Sequence, residues 1–230
     1  MLQEPIGRNH PVLGITNTTV NEIIAAGVDN LLPYVSDPLV VAEVADFRMA
    51  REANPSLHAT RCILFSILSP NTRFNANVVA FERLMAIWPT AEAGEIETAI
   101  YGAQYHKGKA ANVAKLADVD MLSLMQGKES IKALQGMGEK TASFAMALYD
   151  DMSSVFTLDL HMLRVILWAA GLQYKVNPLI KPAAYRRLEV HMLEWCQKND
   201  ILSPFVAQWS IWNAWGFNRH VSHLAIIGRV

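Results

Sequence analysis

The sequence predicts an all-α fold. Three observations carry that prediction. Apolar residues recur at three- and four-residue steps almost from end to end, and alternating β patterns are few. The third is composition: 230 residues that are 52% hydrophobic and 18% charged can bury a substantial core, in one compact body or two small lobes. A chain of this composition is not expected to be disordered.

The elements follow in order. Asn17-Thr18-Thr19 ahead of Val20-Asn21-Glu22-Ile23-Ile24 has the make-up of a helix start, and Gly27 with Pro33 brackets its end. Leu39 to Ala53 carries an apolar stripe closed by Asn54-Pro55, and Ala59 to Leu68 is an apolar run long enough for a buried helix. Ser69-Pro70-Asn71-Thr72 is a turn composition. An amphipathic helix follows through Val78, Val79, Phe81, Leu84 and Met85 to Trp88-Pro89, and further helices are predicted over 92–102, 107–117 and 118–134. Leu160 to Ala170 forms another, as does Pro182 to Cys196 with Tyr185, Leu188, Met192 and Trp195 on one face. The last helix starts near Pro204, with Trp209, Trp212 and Trp215 spaced by three. At that spacing the indoles are assigned to the core rather than to a base-stacking platform.

No apolar run approaches the roughly 18–20 residues of a bilayer span, and the first residues lack the basic start and apolar centre of a signal peptide. The expected location is therefore intracellular, cytoplasmic or nucleoid-associated, without membrane contact. Two cysteines, Cys62 and Cys196, are too few for a disulfide framework or a four-cysteine iron–sulfur cluster, and are expected as buried thiols. The net charge of −1 weighs against a nucleic-acid partner, but its distribution is uneven. Residues 1–58 hold three arginines against seven acids, whereas Tyr101 to Thr141 holds six lysines against four acids. A modest basic face there competes with the ordinary reading of lysines on a solvated helix surface.

Leu134-Gln135-Gly136-Met137-Gly138-Glu139-Lys140-Thr141-Ala142 lies between one helix and the next. Its two glycines permit positive φ and a tight reversal, which would leave backbone N–H groups pointing outward at the next helix's N-terminus, where they can hold a phosphate. A plain interhelical turn with a glycine C-cap is the alternative. The second informative segment, Thr157-Leu158-Asp159-Leu160-His161-Met162-Leu163-Arg164-Val165, follows downstream.

Together these segments resemble the helix-hairpin-helix DNA glycosylases related to endonuclease III and 8-oxoguanine glycosylase. Their motif runs roughly Leu-Pro-Gly-Val-Gly-x-Lys-Thr-Ala, followed by Val-Asp-x-His-x-x-Arg. Leu68-Ser69-Pro70-Asn71-Thr72 is similar to that family's Leu-Leu-Ser-x-Gln turn, and Tyr105 to Val113 to its Tyr-x-x-Lys-Ala-x-x-Ile stretch, so the likeness covers about residues 59–170. Departures are visible too. Gln135 replaces the usual proline, Glu139 stands where arginine is frequent, and the cluster cysteines of the endonuclease III branch are absent. An acid beside a phosphate-gripping hairpin weakens its electrostatics.

The resemblance implies two helical lobes with an active-site cleft between them: a central helical barrel over 57–152 that ends in the hairpin, and a second domain of 1–56 plus 153–230. It makes Lys140 the nucleophile and Asp159 the catalytic carboxylate. The DNA-binding positions it implies are Gln135, Gly136, Met137, Gly138, Thr141, Asn71 and Lys109, with Asn71 filling the gap left by a flipped base. His161 and Arg164 have supporting roles, Arg164 either holding the strand between the catalytic groups or pairing with an acid.

The chemistry agrees. Positive charge builds on the sugar as an N-glycosidic bond breaks, so an ionised carboxylate beside it stabilises the transition state. A lysine amine that has shed its proton can attack C1′ and form a covalent intermediate that opens to a Schiff base. The base must leave the stack to be reached. The expected protein is thus a bifunctional glycosylase and lyase, a monomer acting on double-stranded DNA without a cofactor. Its substrate is an oxidised base such as 8-oxoguanine or a hypermodified base of the bacteriophage type.

Each residue also has an ordinary explanation. Asp159 before an apolar helix is an N-cap pattern, Lys140 in a first helical turn is a solvated charge, and His161 is a core or capping histidine. His220-x-x-His223 has metal-ligand spacing, but only two ligands are visible and no metal is expected. Two other classes remain open: an enzyme on the same fold that modifies thymine derivatives, and a non-catalytic module whose hairpin only grips phosphate.

Overall fold

A computed structural model describes residues 10–215 of the chain. Among these the fold is all-α in character: twelve α-helices and one 3₁₀ segment, with two four-residue strands. The described residues form two compact units, one of 10–41 with 151–215 and the other of 42–150.

In the first unit, β1 (Val12–Ile15) pairs in parallel with β2 (Asn177–Ile180), Val12 opposite Asn177 and Ile15 opposite Ile180. The sequence did not reveal this ladder because four residues are too few to display an alternation. Helix α1 (Asn17–Ala26) starts at Thr16, whose hydroxyl accepts from the Thr19 amide, and stops at Gly27 with φ +76°. Glycine suits that left-handed stop because it has no Cβ. A 3₁₀ segment (Asp29–Tyr34) follows, and α2 (Pro38–Ala53) begins. After residue 151 come α10 (Leu160–Ala169), α11 (Pro182–Lys198) and α12 (Pro204–Ala214). Their shared core includes Ile15, Val20, Ile23, Phe156, Met162, Ile166, Leu188 and Met192. Trp209 is fully buried, stacked on Phe205 at 5.5 Å, with Trp212 4.8 Å away. Cys196 is a buried free thiol.

The second unit is organised around α3 (Pro55–Leu68), nearly all of whose residues from His58 onward are buried. It begins four residues before the apolar run because Asn54 accepts from the Leu57 amide and Pro55 occupies the first turn. Phe65 meets the rings of Phe74, Phe81 and Phe144 at 5.4–6.2 Å. Around it lie α4 (Phe74–Met85), α5 (Ala93–Ala99), α6 (His106–Ala114), α7 (Met121–Leu124), α8 (Lys128–Lys132) and α9 (Glu139–Tyr149). The single helix expected over 118–134 is two short ones, separated where Gln126-Gly127 interrupts the chain.

Residues 42–56, expected with the termini, belong to this second unit. The reason is local packing. Phe47 lies 6.2 Å from the His58 ring, and Arg51 bridges to Asp150 at 2.7 Å and to the Tyr149 carbonyl at 3.3 Å. The second break falls between Asp150 and Asp151, two residues before the expected one. Among the described residues no helix is long and apolar enough to cross a membrane.

Candidate active site

The hairpin segment joins α8 to α9. The Met137 amide closes the turn on the Leu134 carbonyl at 3.1 Å, and Gly136 holds φ +87°. Its two glycines differ in kind. A Cβ at 136 would lie 2.6 Å from Asn112 Nδ2 as well as in the left-handed region. Gly138 is extended, with φ −99°, and has open space where a Cβ would sit. Only Gly136 therefore supplies the reversal expected of both. Gly138 is the N-cap of α9 and offers no side-chain oxygen to its first-turn amides. Those amides are directed along the helix axis, where the partial positive charge of the helix end also lies.

Lys140 stands in this first turn, half-buried. Its neighbour Glu139 is 9% exposed, and its carboxylate is turned onto Lys128 at 3.1 Å and Lys132 at 2.8 Å. The acid expected to weaken phosphate binding is thus neutralised by two lysines of α8. Met137 and Thr141 are buried, so only their main chain is available to a ligand. Gln135 is exposed and accepts from Lys115 Nζ at 2.6 Å.

Asn71 occupies the exposed tip of the turn between α3 and α4, at φ +57°, a conformation asparagine tolerates better than most residues. The turn is closed by the Thr72 amide on the Ser69 carbonyl at 3.1 Å. Lys109 is only 6% exposed. Its ammonium donates to the carbonyls of Leu68 at 2.6 Å and Pro70 at 2.8 Å and to Thr72 Oγ1 at 2.8 Å. Burial first, and then the charge of Lys140, push its pKa down to about 8. Lys140 is therefore within electrostatic reach of the group that grips the Asn71 turn.

In the first unit, Asp159 is the N-cap of α10 and 9% exposed, with Oδ1 accepting from the Met162 amide at 2.7 Å. The residues before it are gripped by buried side chains. The amides of Phe156, Thr157 and Leu158 donate in turn to Glu189 at 3.2 Å, Gln208 at 2.9 Å and the Tyr185 hydroxyl at 3.1 Å. With every successive amide held, the approach to Asp159 has little freedom. Glu189 and Gln208 were not among the expected site residues. A signal existed for Glu189, which falls four residues after Tyr185 on the apolar face of α11.

Arg164 is buried, with Nε donating to the Val176 carbonyl at 2.7 Å and a terminal nitrogen to Asn177 Oδ1 at 2.6 Å. Burial lowers its pKa and the Asp159 charge opposes that. His161 is half-buried in the first turn of α10. His220 and His223 lie outside the described residues. Among the described residues no group of three or more His, Cys, Asp or Glu is placed to hold a metal ion.

His58 and Cys62 form a buried pair in α3, with Sγ 3.6 Å from Nε2. Burial pushes the thiol up and the imidazole down to about 4, so neither is primed as nucleophile or base at neutral pH. No protein-family model, curated protein or solved structure matches the chain.

Proposed function

We propose that the chain is a DNA glycosylase that excises a damaged or modified base from a duplex by base flipping, with Lys140 as nucleophile and Asp159 as catalytic carboxylate. One observation carries most of this reading. Lys140 sits in the first turn of α9, directly after a reversal that requires glycine at 136, and its charge reaches the ammonium that holds the exposed Asn71 turn. Lys140, the N-terminus of α9 and the Asn71 turn are all carried by the second unit, which supports giving them one task. Pairing with Lys128 and Lys132 offsets the charge of Glu139 beside the hairpin.

In the proposed reaction the neutral Lys140 amine attacks C1′ and the C1′–N bond breaks with its electron pair leaving on the base, which takes up a proton. The nitrogen sheds a proton and O4′ gains one as the sugar ring opens to a Schiff base on Lys140 Nζ; loss of a C2′ proton to water with departure of the 3′ phosphate cuts the strand, and water then hydrolyses the imine to free the lysine. Asp159 stabilises the positive charge that develops on the sugar. This requires one deoxyribose to be reached by both groups, with its base out of the stack. The enzyme acts as a monomer and needs no cofactor. Its base is either oxidised, such as 8-oxoguanine, or hypermodified.

The test is excision from duplexes carrying 8-oxoguanine, an oxidised pyrimidine, an alkylated base, a mismatched thymine or 5-hydroxymethyluracil, read as alkali-labile strand breaks. Wild type is expected to cut at least one, and Asp159→Asn to lose that turnover while melting normally. Base conversion without abasic product would instead mark an enzyme that modifies thymine derivatives. Duplex binding with neither outcome would mark a non-catalytic module.

A further inference from the structure

Lys109 is a buried cation whose three N–H bonds are all spent inside the protein. Two go to the carbonyls of Leu68 and Pro70 and one to the Thr72 hydroxyl. That hydroxyl also accepts the Gln104 amide at 3.2 Å. The turn carrying Asn71 is therefore tied twice to the start of α6, once through the ammonium and once through Thr72. A side chain 6% exposed with no donor left has nothing to offer a phosphate. It can, however, fix a turn. Asn71 is exposed, left-handed and joined to the helices only through residues 69–73, so its aim is set by how rigidly that turn is held.

We infer that Lys109 is a positioning residue, a strap that aims Asn71 into the gap left by an extruded base, and not itself a DNA contact. The inference rests on the reading of Asn71 given under the proposed function. It is separable from the catalytic part of that reading, because gap filling needs no bond to break.

The test uses the full chain and a duplex holding a stable tetrahydrofuran abasic site opposite 2-aminopurine, whose fluorescence reports whether the space beside it is filled. At saturating wild-type protein the signal changes. For Lys109→Met the change is expected to fall at least threefold, matching Asn71→Ala. The dependence of affinity on salt should meanwhile keep the wild-type slope, since a lost phosphate contact would lower that slope by about one. A simple loss of stability would not alter a signal read at saturation on folded protein. Should Lys109→Met fail to fold, Thr72→Ala, which deletes one of the three acceptors and the Gln104 tie, is expected to show a partial loss.

A wild-type signal from folded Lys109→Met, or from Thr72→Ala where it stands in, overturns the strap. A salt slope reduced by about one in Lys109→Met overturns it in favour of a phosphate contact. A wild-type signal from Asn71→Ala overturns it by removing its premise, and leaves Lys140 chemistry to be judged separately by covalent trapping.

Discussion

Gly136→Ala tests whether the hairpin reversal depends on glycine. Its φ of +87° places any Cβ in a region that costs an L-residue about 1–2 kcal/mol. The added Cβ would also stand 2.6 Å from Asn112 Nδ2. That atom ends a short, half-buried side chain that can swing aside, so the clash adds less than the backbone, roughly 0.5–1 kcal/mol. The expected loss is therefore about 1.5–3 kcal/mol. At Gly138, extended and unobstructed, the same change should cost at most about 0.5–1 kcal/mol, the difference between glycine and alanine at an N-cap. Urea denaturation measures both, with midpoints compared at constant slope. Asn112→Ala in the Gly136→Ala background should restore only the clash component. Equal stability of the two alanine variants would refute the distinction between the glycines, and full rescue by Asn112→Ala would refute the assignment of most of the cost to φ.

The neutral, buried His58 makes the protein sensitive to acid. Its folded pKa of about 4 lies below the 6.5 ordinary for an imidazole in water, so between these pH values the unfolded chain binds a proton that the folded one refuses. The stabilisation is complete above pH 6.5 and lost as pH falls to 4, by about 2–3 kcal/mol. His58→Phe should flatten that part of the stability profile, and an unchanged profile would contradict the assignment. At Asp159, Asn preserves the cap on the Met162 amide while Ala removes it, so Asp159→Ala should melt lower by about 1 kcal/mol and Asp159→Asn should not. Equal melting of the two would argue against the cap. Glu139→Gln strips the carboxylate from Lys128 and Lys132, and duplex affinity at low salt should rise about threefold. An unchanged affinity would mean those lysines face away from the bound strand.

Much of the helical order was legible because periodicity and chain breakers coincide, as at Gly27 after α1 and at Asn54-Pro55 after α2, whereas the caps themselves, Thr16 for α1 and Asn54 for α3, were not singled out. The β1–β2 ladder was not, since pairing between residues far apart leaves no mark in four-residue segments. The break within 118–134 was hidden because short helices keep the same apolar spacing as one long one. At the candidate site, the glycine pair suggested one reversal from two residues and could not say which. Lysines also look alike in sequence. Nothing in the spacing distinguishes Lys109, which holds a turn from inside, from Lys140, which keeps partial exposure. The grip of Glu189, Gln208 and Tyr185 on residues 156–158 depends on tertiary packing that no local pattern encodes.

The central claim is that an amine of this chain joins to a sugar carbon in DNA. Borohydride reduction during incubation with a duplex bearing a natural abasic site, followed by peptide mass mapping, tests it directly. A reduced adduct on the peptide containing Lys140, lost in Lys140→Ala, is the predicted result; an adduct on another lysine, or undiminished base excision by Lys140→Ala, would contradict it.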